Sequence, residues 1–160
     1  MEYTLAKLNE LDEIFDLYRN VIKLTKTWDW NDQYPSKYMV KEDIENRSLV
    51  CLKDEGKIIA VSFIGDRHNP DPVKIWKMDL HKPARWARIC VSPAYQGKGI
   101  GRLFTENIIK DLKFRGYDGI RIIVAQENIV ALKLYNHFNF TNQGEYIENN
   151  IKWFCYELKF

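Results

Sequence analysis

The stretch that most limits how this chain can fold lies between residues 85 and 116. Residues 85–91 (RWARICV) read as a strand, and Ser92-Pro93 ends it. Gly97, Gly99 and Gly101 then fall at every second position, with Gln96 before them and Lys98 between the first two. Leu103, Phe104, Ile108, Ile109 and Leu112 follow at helical spacing up to Gly116, a well-placed C-terminal cap. A strand that passes through a glycine turn straight into an amphipathic helix is a unit of α/β architecture.

The spacing of the glycines excludes two familiar phosphate loops. A dinucleotide fingerprint requires GxGxxG, and the sixth position counted from Gly97 is Arg102. The GxxxxGK[ST] loop is absent. What remains is still shaped for an anion. The first four amides of a helix have no intrahelical partner and lie at the positive end of its dipole. Gly99 and Gly101 carry no Cβ to keep a phosphate away from those amides, and Lys98 and Arg102 add charge. The other reading is a tight strand-to-helix turn packed on its neighbours.

The rest of the chain supplies the frame. Residues 3–8 suggest a first strand. Asn9 is placed to cap a helix carrying Leu11, Ile14, Phe15, Tyr18, Val21 and Ile22, and Ser36 to cap a second, shorter one. Residues 48–54 and 57–65 form a hairpin about the turn DEGK. Residues 66–84 hold three prolines and predict a long loop. Residues 119–125 (GIRIIVA) are a nearly continuous apolar strand, as expected where both faces are covered. A helix with Ile129, Leu132, Leu134, Tyr135 and Phe138 and a closing antiparallel pair complete an α/β domain with a mixed sheet, one domain over residues 1–160.

Charge and cysteine narrow the partners. A net charge of +2 argues against nucleic acid or a membrane surface, and the longest apolar stretch, 58–64, is too short to span a bilayer. Cys51, Cys90 and Cys155 have no metal spacing and read as buried thiols, so no metal is expected. The N-terminus lacks the layout of a signal peptide, and a cytoplasmic protein is expected. Monomer and homodimer both remain open.

Two blocks together resemble the GNAT superfamily of acetyl-CoA-dependent N-acetyltransferases. Gln96-Gly97-Lys98-Gly99-Ile100-Gly101 is similar to its Gln/Arg-x-x-Gly-x-Gly/Ala loop. Residues 128–140 (NIVALKLYNHFNF) are similar to its Asn-x-x-Ala-x-x-Leu-Tyr-x-x-x-Gly-Phe block through Asn128, Ala131, Leu134, Tyr135 and Phe140. Asn139 stands where that block has glycine, a mild change because Asn tolerates a left-handed backbone.

The resemblance implies a mostly antiparallel sheet of about seven strands with flanking helices. Parallel strands 85–91 and 119–125 would splay apart in it. It implies acetyl-CoA as cosubstrate and a primary amine of a small molecule or peptide as acceptor, attacking the thioester directly. The pantetheine arm would bond to the backbone of Ile89, Cys90 and Val91 and to Asn128. The pyrophosphate would sit on the amides of 97–102. Tyr135 matches the tyrosine that protonates the departing thiolate. A glutamate used as base by ribosomal-protein acetyltransferases falls at Ile123, leaving Glu127, Asp79, His81 and Asp66 as titratable candidates. Trp28, Trp30 and Tyr34, with Trp76 and His81 opposite, could wall the acceptor. A CoA-binding module without turnover is the competing reading.

Overall fold

The computed structural model describes residues 1–66 and 74–160. The strands are β1 (Glu2–Leu5), β2 (Leu49–Asp54), β3 (Lys57–Gly65), β4 (Pro83–Val91), β5 (Gly119–Ala125), β6 (Thr141–Glu148) and β7 (Ile151–Lys159). The helices are α1 (Leu11–Leu24), α2 (Lys37–Glu45), α3 (Ile100–Phe114) and α4 (Ile129–His137). The strands form one mixed sheet in the order β1-β2-β3-β4-β5-β7-β6. Residues 67–73 of the expected long loop lie outside the described residues, and β4 begins at Pro83, two residues before the expected strand. The chain divides into two compact units. Residues 1–64 and 88–107 make the first, and residues 65–87 and 108–160 the second.

In the first unit, the hairpin turns through Glu55 and Gly56, both at positive φ (48° and 81°). That pair is the type I′ geometry whose twist matches its strands. Ser36 caps α2 as expected, its hydroxyl accepting from the Met39 amide at 3.1 Å. Asn9 does not cap α1. Leu8–Glu10 form a 3₁₀ turn instead, and Glu10 accepts from the Lys7 amide at 2.8 Å. Glu10 also ion-pairs Lys53, which neutralises a lysine only 8% exposed. Ile14, Leu17, Tyr18 and Val21 are the buried face of α1.

In the second unit, the parallel pairing of β4 with β5 runs over Pro83↔Gly119, Ala84↔Ile120 and Arg85↔Arg121. On its other side β5 pairs antiparallel with β7 along its whole length, from Gly119↔Lys159 to Ala125↔Trp153. Trp86, Tyr135, Phe140 and Tyr156 form a buried aromatic cluster; Tyr135 lies 5.8, 5.5 and 5.9 Å from the other three ring centroids. Each such ring pair adds roughly 0.5–1.5 kcal/mol beyond its burial.

The buried side of α3 is Ile100, Phe104, Ile108 and Leu112, a strict four-residue repeat. Leu103, expected in that stripe, is 37% exposed, because it lies a quarter-turn from Phe104 on the solvent side. The helix ends as a Schellman motif. The Gly116 amide donates to Lys113 O and the Tyr117 amide to Leu112 O, both at 3.0 Å, with Gly116 at φ 77°.

Candidate active site

The end of β4 and the loop after it belong wholly to the first unit. Cys90 turns inward, its thiol donating to Leu17 O at 4.0 Å, and burial pushes its pKa upward, so it is an inert packing group. Its neighbours Ile89 and Val91 are half-buried. The Gln96 side-chain amide donates to Val91 O at 3.0 Å and ties the loop to the strand it follows.

Gly97 and Gly99 have φ of 73° and 80°, and a Cβ placed on either would meet nothing within 4 Å. The left-handed backbone selects glycine at both positions, and the ground above them is open. Gly101 lies inside the first turn of α3 and has no positive φ. Gln96, Gly97, Lys98, Gly99 and Arg102 are exposed, while Ile100 is 5% exposed and anchors the helix start. Lys98 Nζ stands 5.5 Å from the Tyr95 ring centre, and Tyr95 in turn donates to Asp54 at 3.1 Å. The result is an exposed turn at a helix N-terminus that carries the cations Lys98 and Arg102.

The second block lies in the second unit. Asn128 caps α4, its Oδ1 accepting from the Ala131 amide at 3.1 Å. Asn139 has φ 60° and closes α4 as another Schellman motif, through Asn139 N–H to Asn136 O (3.1 Å) and Phe140 N–H to Tyr135 O (3.0 Å). We therefore expect Asn139→Ala to cost about 1 kcal/mol and Asn139→Gly to be neutral or stabilising. Urea unfolding of the two variants checks this, and equal losses would contradict it. Between these caps, Tyr135 is 3% exposed, and burial raises the pKa of its phenol far above the ordinary value.

The sequence model of the acetyltransferase (GNAT) family matches residues 11–140. The chain belongs to that family. It is an acyltransferase, and acetyl-CoA is the cosubstrate of the family. Solved acetyltransferases share the fold across the whole length. A GNAT-family acetyltransferase from Streptococcus agalactiae is 19% identical, with a TM-score of 0.82 over 99% of this chain and 94% of that one. A putative acetyltransferase from Salmonella typhimurium, solved with its cofactor acetyl-CoA, is 17% identical, with a TM-score of 0.75 over 99% and 92%. A curated mycothiol acetyltransferase from Beutenbergia cavernae is 41% identical over 51 residues, which is 32% of this chain and 17% of that protein's length. Among the described residues, no helix of this GNAT protein is long and apolar enough to cross a membrane, and no group of acidic, His or Cys side chains could hold a metal.

The expected acceptor wall of this acetyltransferase is divided. Trp28, Trp30 and Tyr34 belong to the first unit, Trp76 and His81 to the second. Arg19 of α1 fastens the first segment by donating to Asn31 O and Pro35 O, both at 2.8 Å. Trp30 meets Tyr18 edge-on at 5.4 Å, so it is partly a packing residue; Trp28 and Tyr34 are half-buried. In the second unit, Trp76 lies under the Arg121 guanidinium at 5.4 Å. His81 and Lys82 donate their backbone amides to Asp118, which holds that carboxyl below its usual range against the opposing effect of burial. The buried Glu157 accepts the Lys77 and Met78 amides (2.9 and 2.8 Å) and Arg121 Nε (2.9 Å). Residues 77–82 are thus tied to β7 and to Asp118, just before β5, by two carboxylates that sequence spacing does not reveal. Ile123 sits in β5 opposite Cys155, an apolar position with no capacity for base catalysis.

Proposed function

We propose that this chain acts as a single acetyltransferase domain that moves the acetyl group of acetyl-CoA to a primary amine of a small molecule or peptide. The observation that carries the reading is the open, left-handed Gly97/Gly99 turn at the N-terminus of α3, directly after β4. Its amides, from 97 to 102, would hold the pyrophosphate, with Lys98 and Arg102 beside it. The backbone of Ile89, Cys90 and Val91 would hold the pantetheine arm, and Asn128 would add a side-chain contact to its role as a cap.

The thioester supplies an activated acyl group. The amine nitrogen forms the new bond to the acyl carbon, and the carbon–sulfur bond breaks. A backbone N–H near Val91 would stabilise the negative charge that gathers on the acyl oxygen. Tyr135 would give its proton to the sulfur. The amine's own proton leaves through a group other than residue 123. Trp28 and Trp30, beside the exposed Asp29 and Asp32, suit a cationic amine before it loses that proton. Cys51, Cys90 and Cys155 are buried and form no disulfide, which suits a reducing compartment, and we place the enzyme in the cytoplasm.

The test is thiol release from acetyl-CoA across a panel of polyamines, amino acids, aminoglycosides and peptides with free N-termini. Release that depends on one amine class supports the reading. Tight acetyl-CoA binding with no amine-dependent release would overturn the acceptor assignment.

A further inference from the structure

Arg88 is the one non-glycine residue within a strand that has a positive φ, 52°, among the described residues; the others lie in turns and caps. A long side chain holds such a conformation only where its surroundings over-determine it. Here they do. The Arg88 carbonyl accepts from the Tyr18 hydroxyl of α1 at 3.0 Å. Its guanidinium pairs with Asp43 of α2, which is 3% exposed, and lies 4.8 Å from the centre of the Phe63 ring of β3. Three elements grip one residue, all within the first unit.

The grip is not the arrangement stability alone selects. It combines a left-handed backbone, an ion pair taken out of water, and a buried Nε that finds no partner among the described residues. An apolar pair of similar volume is often as stable as a buried ion pair. These costs fall on the residue immediately before Ile89, Cys90 and Val91.

We infer that Arg88, clamped by Asp43 and Tyr18, is a positioning residue that aims a backbone N–H within residues 89–91 at the acyl carbonyl. This rests on the reading that those residues receive the thioester arm. It predicts a division of labour: the 97–102 amides set affinity for CoA, and the Arg88 clamp sets the rate of transfer.

The test is the double variant Arg88→Gly/Asp43→Asn. Glycine suits φ 52° and removes the orphaned Nε, and the asparagine avoids leaving a buried charge unpaired. The variant should unfold in urea at or near the wild-type midpoint and bind CoA within about threefold of wild type. Its kcat should fall on the order of 10- to 100-fold, the scale of misplacing one oxyanion donor. If the double variant fails to fold, Arg88→Lys is read by the same split between KM and kcat, since lysine keeps the pair with Asp43 but not the planar fork. Wild-type kcat in a folded variant would overturn the inference alone. A wild-type protein that neither binds acetyl-CoA nor releases CoA would sink the underlying reading and the inference with it.

Discussion

Replacing Gly99 with tryptophan should abolish measurable acetyl-CoA binding, lowering affinity by at least about 100-fold, or roughly 2.7 kcal/mol. The ground above Gly99 is empty to 4 Å, so an indole would occupy the space where the phosphates are proposed to reach the helix amides. The substitution carries a second cost. At φ 80° any L-residue is strained by about 1–2 kcal/mol, and this cost falls on folding as well as binding. Gly99→Ala separates the two, since it keeps the strain and adds only a methyl group. We expect Gly99→Ala and Gly99→Trp to lose similar stability and very different affinity. Calorimetric titration with acetyl-CoA and with CoA reads this, and undiminished affinity in Gly99→Trp would refute the cradle.

Tyr135→Phe should lower kcat on the order of 100-fold or more, the range of a lost general acid, with acetyl-CoA affinity little changed. The ring remains packed among Trp86, Phe140 and Tyr156, so the fold should survive. The raised pKa also gives a signature in stability. Burial keeps the native phenol neutral, while in the unfolded chain it ionises near 10.0. A folded pKa above the unfolded one contributes stability that is present below the unfolded value and is lost as pH rises beyond it. Above about pH 10, therefore, wild type should lose stability that Tyr135→Phe does not. Below that pH the two should run parallel. Unchanged turnover would assign the proton to water or another residue.

Arg88 is marked out only in the folded chain. In sequence it is an arginine within an apolar strand, and nothing local marks it. Its partners Asp43 and Tyr18 are 45 and 70 residues away, and neither spacing follows a strand or helix period. Glu157, which holds residues 77 and 78 from about 80 positions along the chain, was invisible for the same reason. Leu103 illustrates a smaller failure: a hydrophobic residue next to a helical stripe reads as part of it until the helix is docked.

By itself the sequence determined whatever depends on neighbours along the chain. It marked the glycine turn and the helix after it, the caps at Ser36, Asn128 and Gly116, and the left-handed turn at Asn139. These are set by φ preferences, side-chain-to-amide hydrogen bonds and apolar periods that act within a few residues. The two motif blocks, read together, identified the GNAT family on the same local evidence. Only the tertiary structure decided that Gly97 and Gly99 adopt a left-handed backbone, and that Tyr135 is buried among Trp86, Phe140 and Tyr156. It alone tied residues 77–82 to the buried Glu157 and to Asp118, and placed a strained, clamped arginine before 89–91. Those properties arise from desolvation and from contacts between distant segments, which the order of residues along the chain does not display.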